Sequence, residues 1–361
     1  KSDYLTTGPV VPQFEKKIAS YVGAKYAVAF SSGTAALHAA CFAADIKEGD
    51  EVITTPITFA ATANSILYVG GKPVFADIDP NTFNICPQSI EKLITPKTKA
   101  IISVDFTGQP AAYDEIMKLA RAYNLIVIED AAHALGATYK NNRIGTIADM
   151  TMFSFHPVKH ITTGEGGIIT TNNRSYYEKL LLFRSHGITR DKNKLHVKDE
   201  VAYYEMQQLG FNYRMTDIQA ALGLSQCKKL PHFIKKRREL AAKYTETFNK
   251  IDCITTPSQL ENTHSSWHLY VLRFDLKKLQ TTRKEIFLAL QKENIGVNIH
   301  YIPVYFHPYY QRLGFKRGLC PNAEQLYENM ITIPLFPSMT EKDQEDVIRA
   351  VQKVVTYYLN K

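Results

Sequence analysis

One lysine stands out among the residues that could carry chemistry. Lys159 lies in FSFHPVKHITTGEGG, residues 153–167, where one apolar run ends and a glycine-containing turn leads into a second apolar run, GIITT. A lysine enclosed between two buried strands can lose its proton and act as an amine nucleophile. Taken alone, however, a lysine is far more often a solvated surface charge.

A carboxylate ends the most apolar run of the chain. Asp130 closes LIVIED and precedes AAHALG. If this run is a buried strand, the carboxylate is half-buried and costly without a cationic partner, such as a protonated ring nitrogen. The same residue could equally cap the helix that follows.

A third segment has the composition of an anion site. SSGTAAL, residues 31–37, joins a strand-like run to a helix-like run. Its hydroxyls, Gly33 and the free N–H groups of a first helical turn could bind a phosphate. A simple N-cap without a ligand would explain the same residues.

The order of these three segments on one sheet favours a common site. The helix N-terminus would hold a phosphate, Asp130 a ring nitrogen and Lys159 an aldehyde. Together these groups match the three functional parts of pyridoxal 5′-phosphate (PLP). The combination therefore favours a PLP site over the three separate structural interpretations.

Alternating β-branched runs and helical stretches predict the elements that position these residues. Strands are predicted at 27–30, 51–54, 73–78, 100–106, 125–130, 150–155 and 167–171, and helices at 33–44 and 113–123. Continuous apolar strands between helices predict an α/β fold with a mostly parallel sheet covered on both faces, whose ligands bind at the carboxyl ends of strands.

A smaller α+β domain is predicted after about residue 228. The pattern there is a helix at 228–248, a strand at 267–274, a helix at 283–295, an extended run at 296–305 and a last helix at 341–359. The basic run at 228–238 is interpreted as a solvated helix face rather than a nucleic-acid site.

Composition excludes several classes of protein. The chain has 361 residues, of which 45% are hydrophobic and 22% charged, so a disordered tail and a fibre are excluded. The net charge of +8 indicates an anionic partner without identifying it. GxGxxG, P-loop, HExxH and GxSxG motifs are absent.

The cysteines and the apolar runs bear on metal binding and location. Five scattered cysteines without a CxxC pair argue against a disulfide framework and a zinc site, and His156 and His160 beside Lys159 lack further ligands, so no metal is expected. No apolar stretch approaches the roughly 20 residues that span a bilayer, and KSDYLTTGPV has no signal-peptide core. We therefore expect a cytoplasmic protein without a membrane contact.

An ordered series of motifs carries a family resemblance. It includes TTPITFAATANSI, VDFTGQP, IEDAAHALGA, SFHPVKHITTGEGG, GFNYRMTDIQAALGLSQ, SSWHLYVLR, VNIHYIPVY and IPLFPSMT. The chain thus resembles, nearly end to end, the DegT/StrS family of PLP-dependent nucleotide-sugar aminotransferases. The resemblance implies fold type I, like aspartate aminotransferase. It also implies an N-terminal substrate-lining segment at 1–14, a large PLP-binding domain at 15–230 and a small C-terminal domain at 231–361.

The resemblance also implies roles for individual residues. Lys159 matches the lysine that forms a Schiff base with PLP, and Asp130 matches the acid paired with the pyridinium nitrogen. The remaining cofactor positions are Phe59 on the ring face, His133 beside the ring, and Gly33, Thr34 and Ser154 at the phosphate. Asn212 matches a residue that reaches the partner's PLP phosphate, which implies a homodimer. Residues expected near the sugar are Thr7, Gly8, Arg214, His300 and Tyr301.

The reaction implied by the resemblance is an amino transfer from L-glutamate, with pyridoxamine 5′-phosphate as the alternate cofactor form. The SFHxxKxIT motif is most similar to the branch that acts on C4 of 4-keto-6-deoxy UDP-N-acetylhexosamines, giving 4-amino sugars for bacterial surface glycans of the pseudaminic acid type. Alternatives are dTDP- or GDP-sugars, or a UDP-4-keto-pentose. A PLP-dependent sugar dehydratase is disfavoured because such relatives replace the lysine with histidine. A non-enzymatic sensor or basic binding module is disfavoured because no helix-turn-helix extension is evident.

Overall fold

The computed structural model describes residues 3–197 and 200–361. Residues 1 and 2 of the predicted N-terminal segment therefore lie outside the described residues. The α-helices are α1 (Val10–Val22), α2 (Gly33–Ala43), α3 (Ala61–Tyr68), α4 (Pro87–Leu93), α5 (Tyr113–Tyr123), α6 (Arg174–Arg184), α7 (Asp217–Cys227), α8 (Leu230–Phe248), α9 (Arg283–Lys292), α10 (Pro308–Arg312), α11 (Pro321–Asn329) and α12 (Glu341–Leu359).

Within residues 3–197 and 200–361, the strands form one large sheet and three small ones. They are β1 (Tyr26–Phe30), β2 (Glu51–Thr54), β3 (Lys72–Phe75), β4 (Thr98–Val104), β5 (Ile126–Asp130), β6 (Thr138–Tyr139), β7 (Asn142–Arg143), β8 (Met150–Ser154), β9 (Gly167–Thr171), β10 (Ile188–Thr189), β11 (Glu205–Met206), β12 (Ile254–Thr255), β13 (Thr263–His264), β14 (Tyr270–Phe274) and β15 (Met330–Ile333). Short 3₁₀ turns occupy Phe106–Gly108 and Val304–Phe306.

The large sheet is mostly parallel, which confirms the predicted α/β class. Its strand order is β1-β9-β8-β5-β4-β2-β3. Within it β9 runs antiparallel to both of its neighbours, whereas β8, β5, β4, β2 and β3 are parallel. The carboxyl ends of β4, β5 and β8 consequently lie side by side at one edge, where α/β folds bind ligands.

Helices bury both faces of this sheet. Alternate residues of β5 show the division, because Val127 packs in the core formed with α1, α5 and α7, while Ile128 packs in the core formed with α2 and α6. Side chains of a strand alternate between faces. Asp130, two residues after Ile128, therefore lies on the α2 face, the same face as the predicted phosphate segment.

The C-terminal part has its own core and its own sheet. The strand order there is β12-β14-β15, and α8, α9 and α12 pack against it around Tyr270, Leu290 and Val351. The extended run predicted at 296–305 was expected to form the second strand of this part, and it does not. That stretch holds only an isolated bridge to Thr332 and a 3₁₀ turn, and β15 pairs with β14 instead.

The exact domain limits stay predictions. The proposed limit after residue 14 falls within α1, and the limit after residue 230 falls at the first residue of α8. The basic run at 228–238 begins α8. Lys228, Lys229 and Lys235 are exposed as predicted, but Arg237 is buried. Among the described residues, no helix combines the length and apolar character needed to cross a membrane.

Candidate active site

A cavity of about 310 Å³ lies where the predicted chemistry converges. This volume is at the lower end of the roughly 300–1,000 Å³ typical of small-molecule sites. Residues predicted from separate motifs meet in its lining: Gly33, Thr34, Phe59, Asp130, His133, Ser154, Lys159 and Tyr301. The fold therefore brings the three segments that suggested a PLP site to one place.

Asp130 is a buried carboxylate with two hydrogen bonds. It ends β5 and is 5% exposed. Thr62 Oγ1 donates to Asp130 Oδ2 at 2.7 Å, and the N–H of Ala132 donates to Oδ1 at 3.2 Å. Burial raises the pKa of the Asp130 carboxyl, while these hydrogen bonds and the charge of Lys159 oppose that rise. Such a carboxylate is a strong partner for a cation in the cavity.

Lys159 lies in the turn that follows β8. Its N–H donates to His156 O at 2.9 Å, and the base of the turn is closed by the N–H of Thr163, which donates to Phe155 O at 3.0 Å. Burial lowers the pKa of the Lys159 amine to about 8, against the attraction of Asp130. At pH 7 about a tenth of this amine is then in the nucleophilic, neutral form, far more than for a lysine with the ordinary pKa.

The start of α2 forms the third wall of the cavity. Ser32 Oγ accepts from the N–H of Ala35 at 3.1 Å, and Gly33 and Thr34 of the same first turn line the cavity. A Cβ on Gly33 would lie 3.3 Å from both Cβ and Oγ of Ser154. A side chain at position 33 would therefore crowd Ser154, and glycine leaves N–H groups and two hydroxyls around a site suited to an anion.

An aromatic and imidazole wall completes the cavity. The Tyr301 hydroxyl and His133 Nε2 are 3.2 Å apart, and burial lowers the pKa of His133 well below its ordinary value, so its ring is neutral. The Phe59 ring is 6.2 Å from the Tyr301 ring, and Phe59 is 62% exposed. The wall thus offers a flat apolar face beside an uncharged hydrogen-bonding pair.

Five predicted site residues do not line this cavity. His300 precedes Tyr301, its Nδ1 is 3.0 Å from Thr332 Oγ1, and burial lowers its pKa to about 4. Asn212 is exposed and Arg214 is half-buried, in the segment that leads to α7. Thr7 is exposed, and Gly8 lies against the start of α7. These roles stay predictions.

Several residues of the site were missed from the sequence. Thr62 is the clearest case, because it binds Asp130 although the two residues are 68 positions apart. The one local signal was the closeness of Thr62 to Phe59 in TPITFAAT, and no pattern in the sequence pairs Thr62 with Asp130. Thr58, His156 and Glu165 also line the cavity. Within the described part of the chain, no group of three or more His, Cys, Asp or Glu could hold a metal ion.

Three curated proteins similar to this chain cover nearly all of it. One is an uncharacterized protein of Methanocaldococcus jannaschii, 47% identical over 357 residues, covering 99% of this chain and 92% of the relative. The spore coat polysaccharide biosynthesis protein SpsC of Bacillus subtilis is 46% identical over 357 residues, with 98% and 92% covered. The UDP-4-amino-4,6-dideoxy-N-acetyl-beta-L-altrosamine transaminase of Campylobacter jejuni is 41% identical over 351 residues, with 96% and 90% covered.

Solved structures of similar proteins have the same fold. PseC of Helicobacter pylori, an aminotransferase involved in pseudaminic acid biosynthesis, superposes with a TM-score of 0.91 at 36% identity, over 99% of this chain and 94% of that one. A sugar aminotransferase of Streptococcus pneumoniae in its PLP form has a TM-score of 0.90 at 32% identity, over 99% and 94%. The same Streptococcus protein is also known in its pyridoxamine phosphate form.

The residues of the cavity fit PLP. The approach of Gly33 to Ser154 leaves a small anion site that a Cβ would narrow. The buried Asp130 carboxylate has the charge that a pyridinium nitrogen requires, and Lys159 has the amine that an aldehyde requires. Phe59 offers a ring face. Each part of the cofactor thus has a chemically matched group in the cavity.

The comparison of the chain with protein families agrees with these similarities. The description of the matching family is DegT/DnrJ/EryC1/StrS aminotransferase family, and the match covers residues 1–352. The predicted resemblance, fold type I and PLP as cofactor are confirmed. The chain therefore belongs to the DegT/DnrJ/EryC1/StrS aminotransferase family of PLP-dependent enzymes.

Proposed function

We propose that the chain moves the amino group of L-glutamate to C4 of a 4-keto-6-deoxy UDP-N-acetylhexosamine. The product is a 4-amino sugar nucleotide for a bacterial surface glycan of the pseudaminic acid type. The position of Lys159 in one cavity with Asp130 carries the aminotransferase part of this proposal. The names of the Campylobacter and Helicobacter relatives support the sugar.

Lys159 and Asp130 divide the proton chemistry in this proposal. PLP, when bound, supplies an electron sink that acidifies the α-carbon of the donor. Lys159, with a pKa of about 8, is the base that takes the α-proton of the donor and then the acid that delivers a proton to C4′ of the cofactor. The Asp130 carboxylate keeps a proton on the ring nitrogen, and Thr62 holds that carboxylate in place.

The remaining residues of the cavity bind and orient. We assign Gly33, Thr34 and Ser154 to the cofactor phosphate, since they surround the anion site at the start of α2. Phe59 covers one face of the ring. His133 approaches the ring edge and is oriented by the Tyr301 hydroxyl. Residues proposed near the sugar are Thr7, Gly8, Arg214, His300 and Tyr301.

We further propose a homodimer in which Asn212 completes the partner's phosphate site. Asn212 is exposed and does not reach the cavity of its own chain. The stretch around it also exposes large apolar side chains, which mark interaction surfaces when they cluster. These side chains are Tyr204, Met206, Leu209, Phe211, Ile218 and Leu222.

Another keto sugar is the second candidate. The Bacillus relative is named for spore coat polysaccharide biosynthesis and is 46% identical to the chain, against 41% for the Campylobacter transaminase, which favours a different glycan. A sugar dehydratase is disfavoured because the chain has Lys159 where such relatives have histidine. A cytoplasmic location is supported by five free cysteines, four of them buried, because thiols persist in reducing compartments.

A comparison of sugar substrates tests the proposal. Holoenzyme is given L-glutamate, and the loss of its cofactor band is followed by absorbance. The 4-keto sugars linked to UDP, dTDP or GDP are then added separately, and kcat/KM is compared. We expect the UDP-N-acetylhexosamine to have the highest value. If a dTDP- or GDP-sugar is preferred, the sugar assignment is wrong, and a spectrum that L-glutamate leaves unchanged would contradict the donor.

A further inference from the structure

Ser266 lies outside the cavity but connects three of the loops around it. Its N–H donates to Gly108 O at 3.0 Å, and its Oγ donates to His133 O at 2.7 Å. Its carbonyl oxygen lies 3.2 Å from His160 Nε2. These contacts reach the loops that follow β4, β5 and β8, and Ser266 itself is fully buried.

The donor atom of the His160–Ser266 hydrogen bond can be assigned because the His160 ring is neutral. Burial, and after it the charge of Arg237, lowers the pKa of His160 well below its ordinary value. The other titratable groups close enough to interact with the ring are Lys159, His268 and His133. A neutral imidazole has one N–H, and an adjacent carbonyl selects which nitrogen carries it. Nε2 therefore donates to Ser266 O, while Nδ1 has no partner among the described residues.

The segment that carries Ser266 is held from the opposite side. The Arg237 guanidinium is 4% exposed and donates to Trp267 O, His268 O and Leu335 O at 3.1, 3.0 and 2.9 Å. Gly108 has a φ of +100°, and a Cβ there would lie 2.5 Å from Ser266 Oγ. Packing this close leaves Ser266 little room to shift.

We propose that His160 and Ser266 are positioning residues that hold Lys159 in place for the reaction. His160 directly follows Lys159, so the His160–Ser266 bond fixes the outer side of the turn whose base is closed at Phe155. The bond thereby anchors Lys159 to the C-terminal part of the chain. This inference rests on the proposed role of Lys159, because displacing a reacting group by about 1 Å can cost on the order of 100-fold in rate.

The test compares side chains that differ in reach. His160→Gln places an amide N–H near the position of Nε2 and can reach Ser266 O, whereas His160→Asn has the same chemistry but is too short. His160→Met has the length without the donor. Each holoenzyme is titrated with pH while its cofactor band is recorded. PLP affinity is measured on the apoenzymes by quenching of Trp267, the only tryptophan of the chain.

We expect His160→Gln to retain the wild-type midpoint of the cofactor band and wild-type PLP affinity. His160→Asn and His160→Met should shift that midpoint and lower kcat about 10- to 100-fold, with a smaller change in KM for L-glutamate. A wild-type midpoint in Asn and Met variants that bind PLP normally would overturn the inference, as would equal defects in all three variants. If one of the two disruptive variants does not fold, the other still decides. Full turnover by Lys159→Ala would instead overturn the proposed function.

Discussion

At the scale of single residues, burial acts in opposite directions on the two central groups of the cavity. It lowers the pKa of Lys159 to about 8 and raises the pKa of Asp130, because the charged form of each loses solvation. Asp130 recovers part of this loss through Thr62 and Ala132. The lysine is thus prepared to exchange a proton, and the aspartate is prepared to pair with a cation.

The pKa of Lys159 predicts how its reactivity depends on pH. An ordinary lysine loses its proton at about pH 10.4, whereas a lowered pKa lets the neutral amine form at lower pH. In the apoenzyme, labelling of Lys159 by an amine-directed acetylating reagent should therefore rise through about pH 8. Mass spectrometry of the labelled peptide measures this rise. A midpoint near that of a free lysine would contradict the described environment.

Thr62 should support Asp130 by its hydroxyl alone. Thr62→Val keeps the shape and removes the donor to Asp130 Oδ2, so the free energy of unfolding should fall by about 1.5–3 kcal/mol and PLP binding should weaken. Urea unfolding and PLP titration measure the two effects. Thr62→Ser keeps the hydroxyl and serves as the control. Equal behaviour of the valine and serine variants would show that the hydrogen bond is not required.

Local sequence predicted site residues only where a residue begins, ends or follows a helix or strand. Asp130 closes an apolar run, Gly33 opens a helix and Lys159 follows a strand, so their placement could be predicted from the pattern beside them. The Thr62–Asp130 bond and the His160–Ser266 bond join residues 68 and 106 positions apart. Such pairs depend on how the strands order in the sheet, which no local pattern specifies.

At the scale of elements, one carboxylate joins the N-terminal segment to α7. Helix α1 begins after Pro9 and has no side-chain cap of its own. Asp217, the first residue of α7, accepts from the N–H groups of Gly8, Val10 and Val11 at 2.6, 2.8 and 3.1 Å. The missing cap of α1 is thus supplied from another helix, and this fixes the segment that contains Thr7 and Gly8, two of the residues proposed near the sugar.

Removing that carboxylate should loosen the start of α1. Asp217→Ala should lower the free energy of unfolding by about 0.5–2 kcal/mol, the range for lost helix caps. Amide hydrogen exchange at Gly8, Val10 and Val11 should accelerate, while α5, on the same face of the sheet, stays protected. Asp217→Asn retains one acceptor and should show a smaller change. Unchanged exchange in the alanine variant would contradict the capping role.

Sequence patterns predicted many elements but not their direction or distant partners. The bounds predicted for β2, β9, α5 and α12 match the structure, because turns or charged residues flank clear apolar patterns. The antiparallel course of β9 could not be predicted, since a short, fully buried run is compatible with either strand direction. The prediction that residues 296–305 form the second strand was wrong, because β15, a run of four residues, pairs with β14 instead.

At the scale of the whole molecule, the dimer proposal makes each site depend on two chains. Lys159 lies in the cavity of its own chain, whereas Asn212 is exposed outside it. In a two-fold dimer the same patch contacts its copy, so both sites would be completed in the same way. The net charge of +8 on each chain would then attract the anionic nucleotide sugar of the proposal to both sites.

Mixing two impaired variants tests this arrangement. Lys159→Ala lacks the catalytic amine, and Asn212→Ala should bind the cofactor phosphate poorly. A heterodimer of the two has one intact site if Asn212 acts on the partner. Unfolding and refolding the mixture should then restore about a quarter of wild-type activity, because half of random dimers are mixed and each has one intact site. No recovery in a properly refolded mixture would place Asn212 in its own chain's site, and wild-type activity of the Asn212→Ala homodimer alone would place it outside both sites.

The most direct test of the account is the exchange of the α-proton of L-glutamate in heavy water. Holoenzyme without any keto sugar is incubated with L-glutamate, and the α-proton signal is followed by proton NMR. The wild-type enzyme should replace this proton with deuterium. Exchange by Lys159→Ala reconstituted with PLP should be about 100- to 10,000-fold slower, the usual effect of losing a proton-transferring group. Exchange by Lys159→Ala at the wild-type rate would contradict the assignment of Lys159.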